Sequence, residues 1–194
     1  MPDRVFVAIE LAAAPRTLVT RCVTTFLAAD PSWAGEKLVA PDVLHVTLAF
    51  LGPVPGPGLG DLVERLTSAA AASPSLELSL AQLRCVPSPR RAAMLWITLG
   101  GDVGGVERLA STIARAADLE AALRPFVPHI TLARARRPRP ADPSACARAG
   151  AVLSESGREA DRSMSVRAAT LFSSTLGPAG PSYQRLAVLP LGDA

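Results

Sequence analysis

The sequence predicts an α+β fold in which two pseudo-symmetric lobes, each an antiparallel sheet with outer helices, enclose a central cleft. Three observations support this prediction. Apolar and polar residues alternate in several segments, which is typical of antiparallel strands that face water or a groove on one side. The order of strands and helices over residues 4–83 recurs over 93–172. The short motif His-x-Thr-Leu occurs once in each half, at 45–48 and 129–132.

The first half predicts three strands and two helices. In order, these are a strand at 4–11, a helix from Pro15 to Leu27, a strand at 44–52, a helix near 60–72 and a strand at 76–83. The first strand is rich in β-branched and aromatic residues. The first helix has apolar residues at helical spacing, and Gly52-Pro53 ends the second strand.

The second half predicts the same series. It comprises a strand at 93–100, a helix near 105–120, a strand within 124–134, a weaker helix near 141–153, a strand at 163–172 and a closing strand at 183–191. Because this repeat is too long for a solenoid unit and occurs only twice, it favours two equal lobes about a pseudo-twofold axis. We therefore expect a single bilobal domain over 1–194.

Composition excludes several classes of protein. The chain has 194 residues, of which 49% are hydrophobic and 19% charged, with 18 Pro and 14 Gly, so it is neither disordered nor collagen-like. No apolar run approaches the roughly 20 residues that cross a bilayer, and the N-terminal segment lacks the basic flank of a signal peptide. Three cysteines without a CxxC spacing suit a reducing compartment. We expect a cytoplasmic protein that contacts no membrane.

The two histidines are the strongest functional signal. A histidine in an apolar strand is more often a structural residue than a catalyst, but here both histidines of the chain begin the same motif at equivalent points of the repeat. Side chains at i and i+2 share one face of a strand. His45 and Thr47 therefore point together into the cleft, as do His129 and Thr131, while the intervening apolar residues anchor the core.

Two imidazoles and two hydroxyls suit in-line displacement at phosphorus. Such a reaction needs a base at the attacking oxygen and an acid at the leaving oxygen, and histidine can serve as either near neutral pH. Threonine hydroxyls can donate to the non-bridging oxygens. Zinc would need three or four ligands, and Cys22, Cys85 and Cys146 lie at unsuitable spacings, so we expect no metal.

At this point the chain resembles a known family. Paired HxT[LIV] motifs are typical of the 2H phosphoesterase superfamily, and RVFVAI, LHVTLAFLG, FVPHITLAR and LFSSTLGPAGPSYQRL are similar to its RNA 2',3'-cyclic phosphodiesterase branch, the LigT-like 2'-5' RNA ligases. The resemblance spans nearly all of 4–190. It implies cofactor-free, metal-independent opening of a 2',3'-cyclic phosphate to a 2'-phosphomonoester, together with a reversible 2'-5' RNA ligase activity.

The resemblance also implies roles for the site residues. His45 would protonate the departing O3' and His129 would activate water, although the repeat itself cannot order the two. Thr47 and Thr131 would bind the phosphate oxygens, and Arg134 would add a cationic contact.

Arg134 and Phe50 share a geometric difficulty. Each lies five residues after its histidine, so a regular strand turns it away from the cleft, and only a bulge or a strand end brings it back. A nucleobase needs an aromatic surface, for which Phe50 is the first candidate and Tyr183 and Trp33 are weaker ones. A core role for Phe50 is the alternative.

The arginine usage permits an anionic partner. The net charge is +3, and an arginine cluster follows the second motif. Arg136, Arg137 and Arg139 are either RNA-backbone contacts or members of a solvated loop, and Arg90 and Arg91 are lesser candidates. We expect the partner to be RNA or a nucleotide with a 2',3'-cyclic phosphate end, bound by a monomer without a protein partner.

Two other readings of the sequence stay open. The first is a phosphate-binding or RNA-binding module without turnover, which the intact histidines and threonines disfavour. The second is a 2H enzyme that acts on another cyclic phosphate or on oligonucleotide linkages. Substrate length, base preference and a physiological ligase role are not determined by the sequence.

Overall fold

The computed structural model describes residues 4–119, 125–155, 159–177 and 180–193. The helices are α1 (Ala13–Ala29), α2 (Leu59–Ala71), α3 (Val103–Ala116), α4 (Pro143–Ser154) and α5 (Glu159–Arg162). The strands are β1 (Arg4–Glu10), β2 (Lys37–Leu38), β3 (His45–Pro53), β4 (Leu76–Val86), β5 (Ala92–Gly101), β6 (His129–Arg139), β7 (Ser163–Val166), β8 (Ala168–Gly177) and β9 (Gly180–Pro190). The predicted α+β class is confirmed.

The strands form one curled sheet in the order β7-β4-β5-β6-β3-β1-β8-β9, and β2 pairs with β6. These strands pair antiparallel throughout the described part of the chain. The prediction of one strand at 163–172 is wrong, because Arg167 interrupts it. β7 joins one edge of the sheet and β8 lies near the other. Since one residue spans only about 3.5 Å, the sheet must curl to bring these strands together.

The sheet divides into two lobes where β3 meets β6. Val46 and Ile130 are the only residues these strands pair within the described chain, and both are fully buried. One lobe consists of β7-β4-β5-β6 and the other of β3-β1-β8-β9. This narrow junction leaves the cleft between them.

Each lobe takes strands from both halves of the sequence. β4 belongs to the first half but pairs with β5 and β7, whereas β8 belongs to the second half and pairs with β1. The helices also pair across the repeat, since α1 packs on α4 and α2 on α3. The repeat is therefore interleaved rather than split into one half per lobe.

The core lies between the sheet and these helices. The apolar residues of the two motifs are buried as expected, with Val46 and Ile130 at 0% exposure, Leu132 at 1% and Leu48 at 5%. Two helices have acidic N-caps, because Asp102 accepts from the Gly105 amide and Asp142 from the Ser144 amide.

Within the described ranges, no helix has the length and apolarity needed to cross a membrane.

The cysteines lie on the helical side of the sheet. Cys22 is buried in α1, and its thiol donates to the Ala149 carbonyl of α4 at 3.2 Å. The Sγ atoms of Cys85 and Cys146 are 2.7 Å apart, between β4 and α4. The three cysteines therefore belong to the packing of α1, α4 and β4.

Candidate active site

The β3–β6 junction brings the two HxT motifs together. Because Val46 pairs with Ile130 in an antiparallel register, His45 lies opposite Thr131 and Thr47 opposite His129. The buried central pair points into the core, so the flanking polar residues share the opposite face. All four polar side chains are partly exposed. The duplicated motif thus produces two imidazoles and two hydroxyls at one place.

The imidazoles are held in the same way. His45 Nδ1 lies 2.7 Å from the Val43 carbonyl oxygen, and His129 Nδ1 lies 2.8 Å from the Val127 carbonyl oxygen. A carbonyl can only accept, so each Nδ1 carries the proton and donates it. The Nε2 atom of each ring is then the nitrogen available to a ligand, as base in the neutral ring and as acid in the protonated ring.

Two bulges bring Arg134 and Phe50 to the same face as the histidines. In β6, Thr131 pairs with Trp96 and Ala133 with Leu95, so Leu132 is an extra residue. β3 has the same irregularity at Leu48 against β1. An extra residue reverses the alternation of side chains beyond it. Only such a bulge could turn these two side chains back to the cleft, and each lobe contains one.

The cleft contains a cavity of about 410 Å³. Its lining residues are Arg4, Val5, Phe6, Val39, His45, Thr47, Phe50, Gly52, Thr131, Arg134, Ser174 and Tyr183. Five of the expected site residues are therefore collected here. His129 lies beside the cavity rather than in its lining. The volume is of the size that small-molecule ligands occupy.

Burial and positive charge shape the titration of the histidines. Burial lowers the pKa of His45 below its ordinary value, and the nearby charges of Arg134 and His129 lower it further. Burial likewise lowers the pKa of His129, with Arg134 acting in the same direction. Burial raises the pKa of the Tyr183 phenol. The guanidinium of Arg134 thus acts on both imidazoles and donates to the Met94 sulfur at 3.0 Å.

The two imidazoles differ in their aromatic neighbours. His45 lies 5.2 Å from the ring of Phe6 and 5.5 Å from that of Tyr183, which meets it edge-on. His129 instead stacks on Trp96 at 3.8 Å with an interplanar angle of 20°. Sequence reasoning missed Phe6 and Trp96. Period-2 alternation puts Phe6 on the same strand face as Glu10 and Trp96 on the same face as Thr98. Only the strand register shows that Glu10 and Thr98 lie opposite the histidines.

The candidates for base stacking separate by position. Phe50 is 69% exposed at the cavity, and its ring centroid is 6.0 Å from that of Phe6. Tyr183 lines the same cavity. Trp33 is fully buried, and its indole NH donates to the Pro140 carbonyl at 3.3 Å. The weaker suggestion of a stacking role for Trp33 is therefore wrong, because its ring belongs to the core.

The arginine cluster is not uniform. Arg139 forms an ion pair with Glu36 at 2.8 Å and lies over the ring of Trp33. The Arg136 amide also donates to Glu36, which lowers the pKa of that carboxyl. The Glu36 carboxylate thus already pairs with the Arg139 guanidinium. The side chains of Arg136 and Arg137 are exposed and form no ion pair in the described part of the chain, and their role remains a prediction.

The described residues contain no group of three or more His, Cys, Asp or Glu side chains that could hold a metal ion.

Arg90 and Arg91 are exposed on the turn between β4 and β5. Neither lines the cavity.

Comparison with known proteins gives consistent matches. Residues 25–177 match the sequence profile of the 2'-5' RNA ligase superfamily. The chain is 31% identical over 199 residues to the RNA 2',3'-cyclic phosphodiesterase of Methanothermobacter thermautotrophicus, covering 98% of this chain and all of the relative. The fold is similar to crystal structures of E. coli LigT (TM-score 0.70, 26% identity, 99% of both chains) and of Thermus thermophilus TT0787 (TM-score 0.74, 24% identity, 98% of both chains).

Proposed function

The chain belongs to the 2'-5' RNA ligase superfamily of 2H phosphoesterases, and we propose from that premise that it is a metal-independent RNA 2',3'-cyclic phosphodiesterase. Membership of this family makes it an enzyme that acts on phosphodiester bonds. The proposed reaction opens a 2',3'-cyclic phosphate by water to a 2'-phosphomonoester. RNA with such an end, or the corresponding nucleotide, is the proposed substrate.

One observation carries the proposal. Both histidines donate Nδ1–H to a backbone carbonyl two residues upstream, and each leaves Nε2 available across the β3–β6 junction. A phosphate between the lobes would therefore meet an imidazole from each side. In-line displacement needs this arrangement, because the attacking and leaving oxygens lie on opposite sides of phosphorus.

In the proposed mechanism His129 is the base and His45 the acid. The Nε2 lone pair of neutral His129 takes a proton from water as the water oxygen attacks phosphorus. The P–O3' bond breaks, and protonated His45 gives its Nε2 proton to O3'. The carbonyls of Val43 and Val127 hold each ring through Nδ1 in both protonation states. Solvent then returns both imidazoles to their starting states.

The remaining residues would bind the substrate. The hydroxyls of Thr47 and Thr131, which line the cavity, would donate to the non-bridging oxygens, and Arg134 would add a positive charge on the same side. Phe50 offers an exposed ring for a nucleobase. We also propose that the chain is cytoplasmic and acts as a monomer. Sedimentation at working concentration would check the monomeric state.

Ligation is the second activity we propose at this site. With a 5'-hydroxyl in place of water, its oxygen would attack the phosphorus of another end's 2',3'-cyclic phosphate while His129 takes its proton. The P–O3' bond would break, His45 would protonate O3', and a 2'-5' linkage would result. Hydrolysis should dominate, because water is abundant and the second RNA end must be held in the cleft.

The experiment is incubation with nucleoside 2',3'-cyclic phosphates in EDTA, followed by identification of the product isomer. We expect turnover unaffected by EDTA and a product that is the 2'-phosphomonoester. A preparation of the His45→Ala, His129→Ala double variant controls for contaminating nucleases. Binding without turnover would indicate a non-catalytic module, loss of activity in EDTA would indicate a metal enzyme, and a 3'-phosphate product would reverse the assigned geometry.

A further inference from the structure

In the strand pairing, a carboxylate lies opposite one of the two histidines. β1 and β3 pair with Glu10 directly opposite His45, so the two side chains share a face with their Cβ atoms about 5 Å apart. In the other lobe the residue opposite His129 is Thr98 of β5. The pseudo-symmetry of the cleft is therefore broken by charge at this position.

Contacts from two further strands hold the Glu10 carboxylate. The Thr170 hydroxyl of β8 donates to Oε1 at 2.8 Å, and the Arg185 guanidinium of β9 donates to Oε2. The carboxylate is partly buried, with 29% of its side chain exposed. These contacts fix the negative charge on the strand face that Glu10 shares with His45, and backbone pairing holds the strands that supply them.

We propose that Glu10 is a positioning residue that stabilises the protonated form of His45 and so favours His45 over His129 as the proton donor to the leaving oxygen. This inference rests on the proposed function for its catalytic meaning. Its electrostatic part concerns His45 alone and can be measured without substrate.

The other charges around His45 act in the opposite direction. Arg134 and His129 of β6 face it, and both disfavour its protonated form. The Tyr183 phenol of β9 contacts the ring edge, and Arg4 of β1 lines the same cavity. Glu10 is the group that raises the pKa of His45 by its charge, against the lowering by burial. Without it, the Val43 carbonyl would be the remaining group that favours the protonated ring, against burial and two positive charges.

The experiment titrates both imidazoles by NMR in the Glu10→Gln variant. The chain contains only two histidines, so comparison with the single His45→Ala and His129→Ala variants assigns each resonance. Glu10→Gln keeps a hydrogen-bonding group at this position but removes the charge. We expect the pKa of His45 to fall by about 1 pH unit, the low end of the effect of an adjacent opposite charge. The pKa of His129 should move much less.

Arg185→Gln is a second variant, and it should shift the pKa of His45 in the opposite direction. Removing the counter-ion leaves the Glu10 carboxylate uncompensated beside His45, so the pKa of His45 should rise. This variant also tests the inference if Glu10→Gln does not fold. In active enzyme, the alkaline limb of kcat/KM should follow the shift of His45 in each variant.

The outcomes separate the two proposals. An unchanged pKa of His45 in Glu10→Gln, or equal shifts of both histidines, would overturn the role of Glu10. If the pKa of His45 shifts as expected but the enzyme opens no cyclic phosphate, the electrostatic role stands and the proposed function fails.

Discussion

Replacing Thr47 or Thr131 with valine removes one hydroxyl from the cleft and keeps the shape of the side chain. Both residues line the cavity and are partly exposed. In the described part of the chain neither hydroxyl is hydrogen-bonded to another protein group, unlike Thr170, which bonds to Glu10. The hydroxyls are therefore available to a ligand rather than needed by the fold.

This difference sets the expected magnitudes. Loss of an unpaired, partly exposed hydroxyl should change the free energy of unfolding by less than about 0.5 kcal/mol. Loss of a donor to a developing oxyanion costs about 2–4 kcal/mol of transition-state stabilisation, which is roughly 30- to 1,000-fold in rate. Each valine variant should therefore lose turnover without losing stability.

The assay is kcat and KM on a nucleoside 2',3'-cyclic phosphate, with urea unfolding measured in parallel. Thr24→Val is the matched control, since Thr24 is exposed on α1, away from the cleft, and its hydroxyl bonds only to the Thr20 carbonyl. Normal turnover in both cleft variants would refute the reasoning. Equal losses of stability and activity would do so as well, because they would show the hydroxyls to be structural.

Three further predictions concern pH, RNA and base binding. Burial lowers the pKa of both imidazoles, so the base stays neutral to lower pH and the acid loses its proton at lower pH. The kcat/KM optimum should therefore lie below the ordinary histidine pKa of about 6.5. A plateau extending above pH 8 would contradict this. Replacing Arg136 and Arg137 together with serine should reduce the salt dependence of oligonucleotide binding by up to about 0.7 in log–log slope per lost contact, with a much smaller effect on a mononucleotide. Arg139→Ser should mainly lower stability, through loss of the Glu36 ion pair. Phe50→Ala should raise KM for a mononucleotide several-fold and leave stability nearly unchanged, whereas Val188→Ala, at an exposed apolar residue on β9, should alter neither.

Much of the fold could be predicted from local patterns. The strand and helix order, the antiparallel class and the pairing of the two HxT motifs followed from periodicity and from the repeat. Pairing between strands is not a local property, however. Nothing in the alternation of 163–172 indicates that Arg167 separates two strands with distant partners, and the exchange of β4 and β8 between the lobes depends on that break.

The positions of the site residues were likewise only partly predictable from local patterns. His45 and Thr47 could be placed on one face because they lie two residues apart. Arg134 and Phe50 could not, because their direction depends on bulges at Leu132 and Leu48 that ordinary leucines do not signal. Glu10 and Trp96 act across strands, so only the register reveals them beside the histidines.

Leaving-group rescue of the two histidine variants is the most direct test of the central claim that the histidines act as an acid–base pair. Turnover of a 2',3'-cyclic phosphate is measured in EDTA for His45→Ala and His129→Ala, first with the ordinary substrate and then with one that carries sulfur at the 3' position. Each variant should stay folded and lose on the order of 10²–10⁴ in rate on the ordinary substrate. Since a thiolate leaves without protonation, the sulfur substrate should restore His45→Ala and not His129→Ala. Near-normal turnover of either variant on the ordinary substrate, or rescue of His129→Ala alone, would contradict the account.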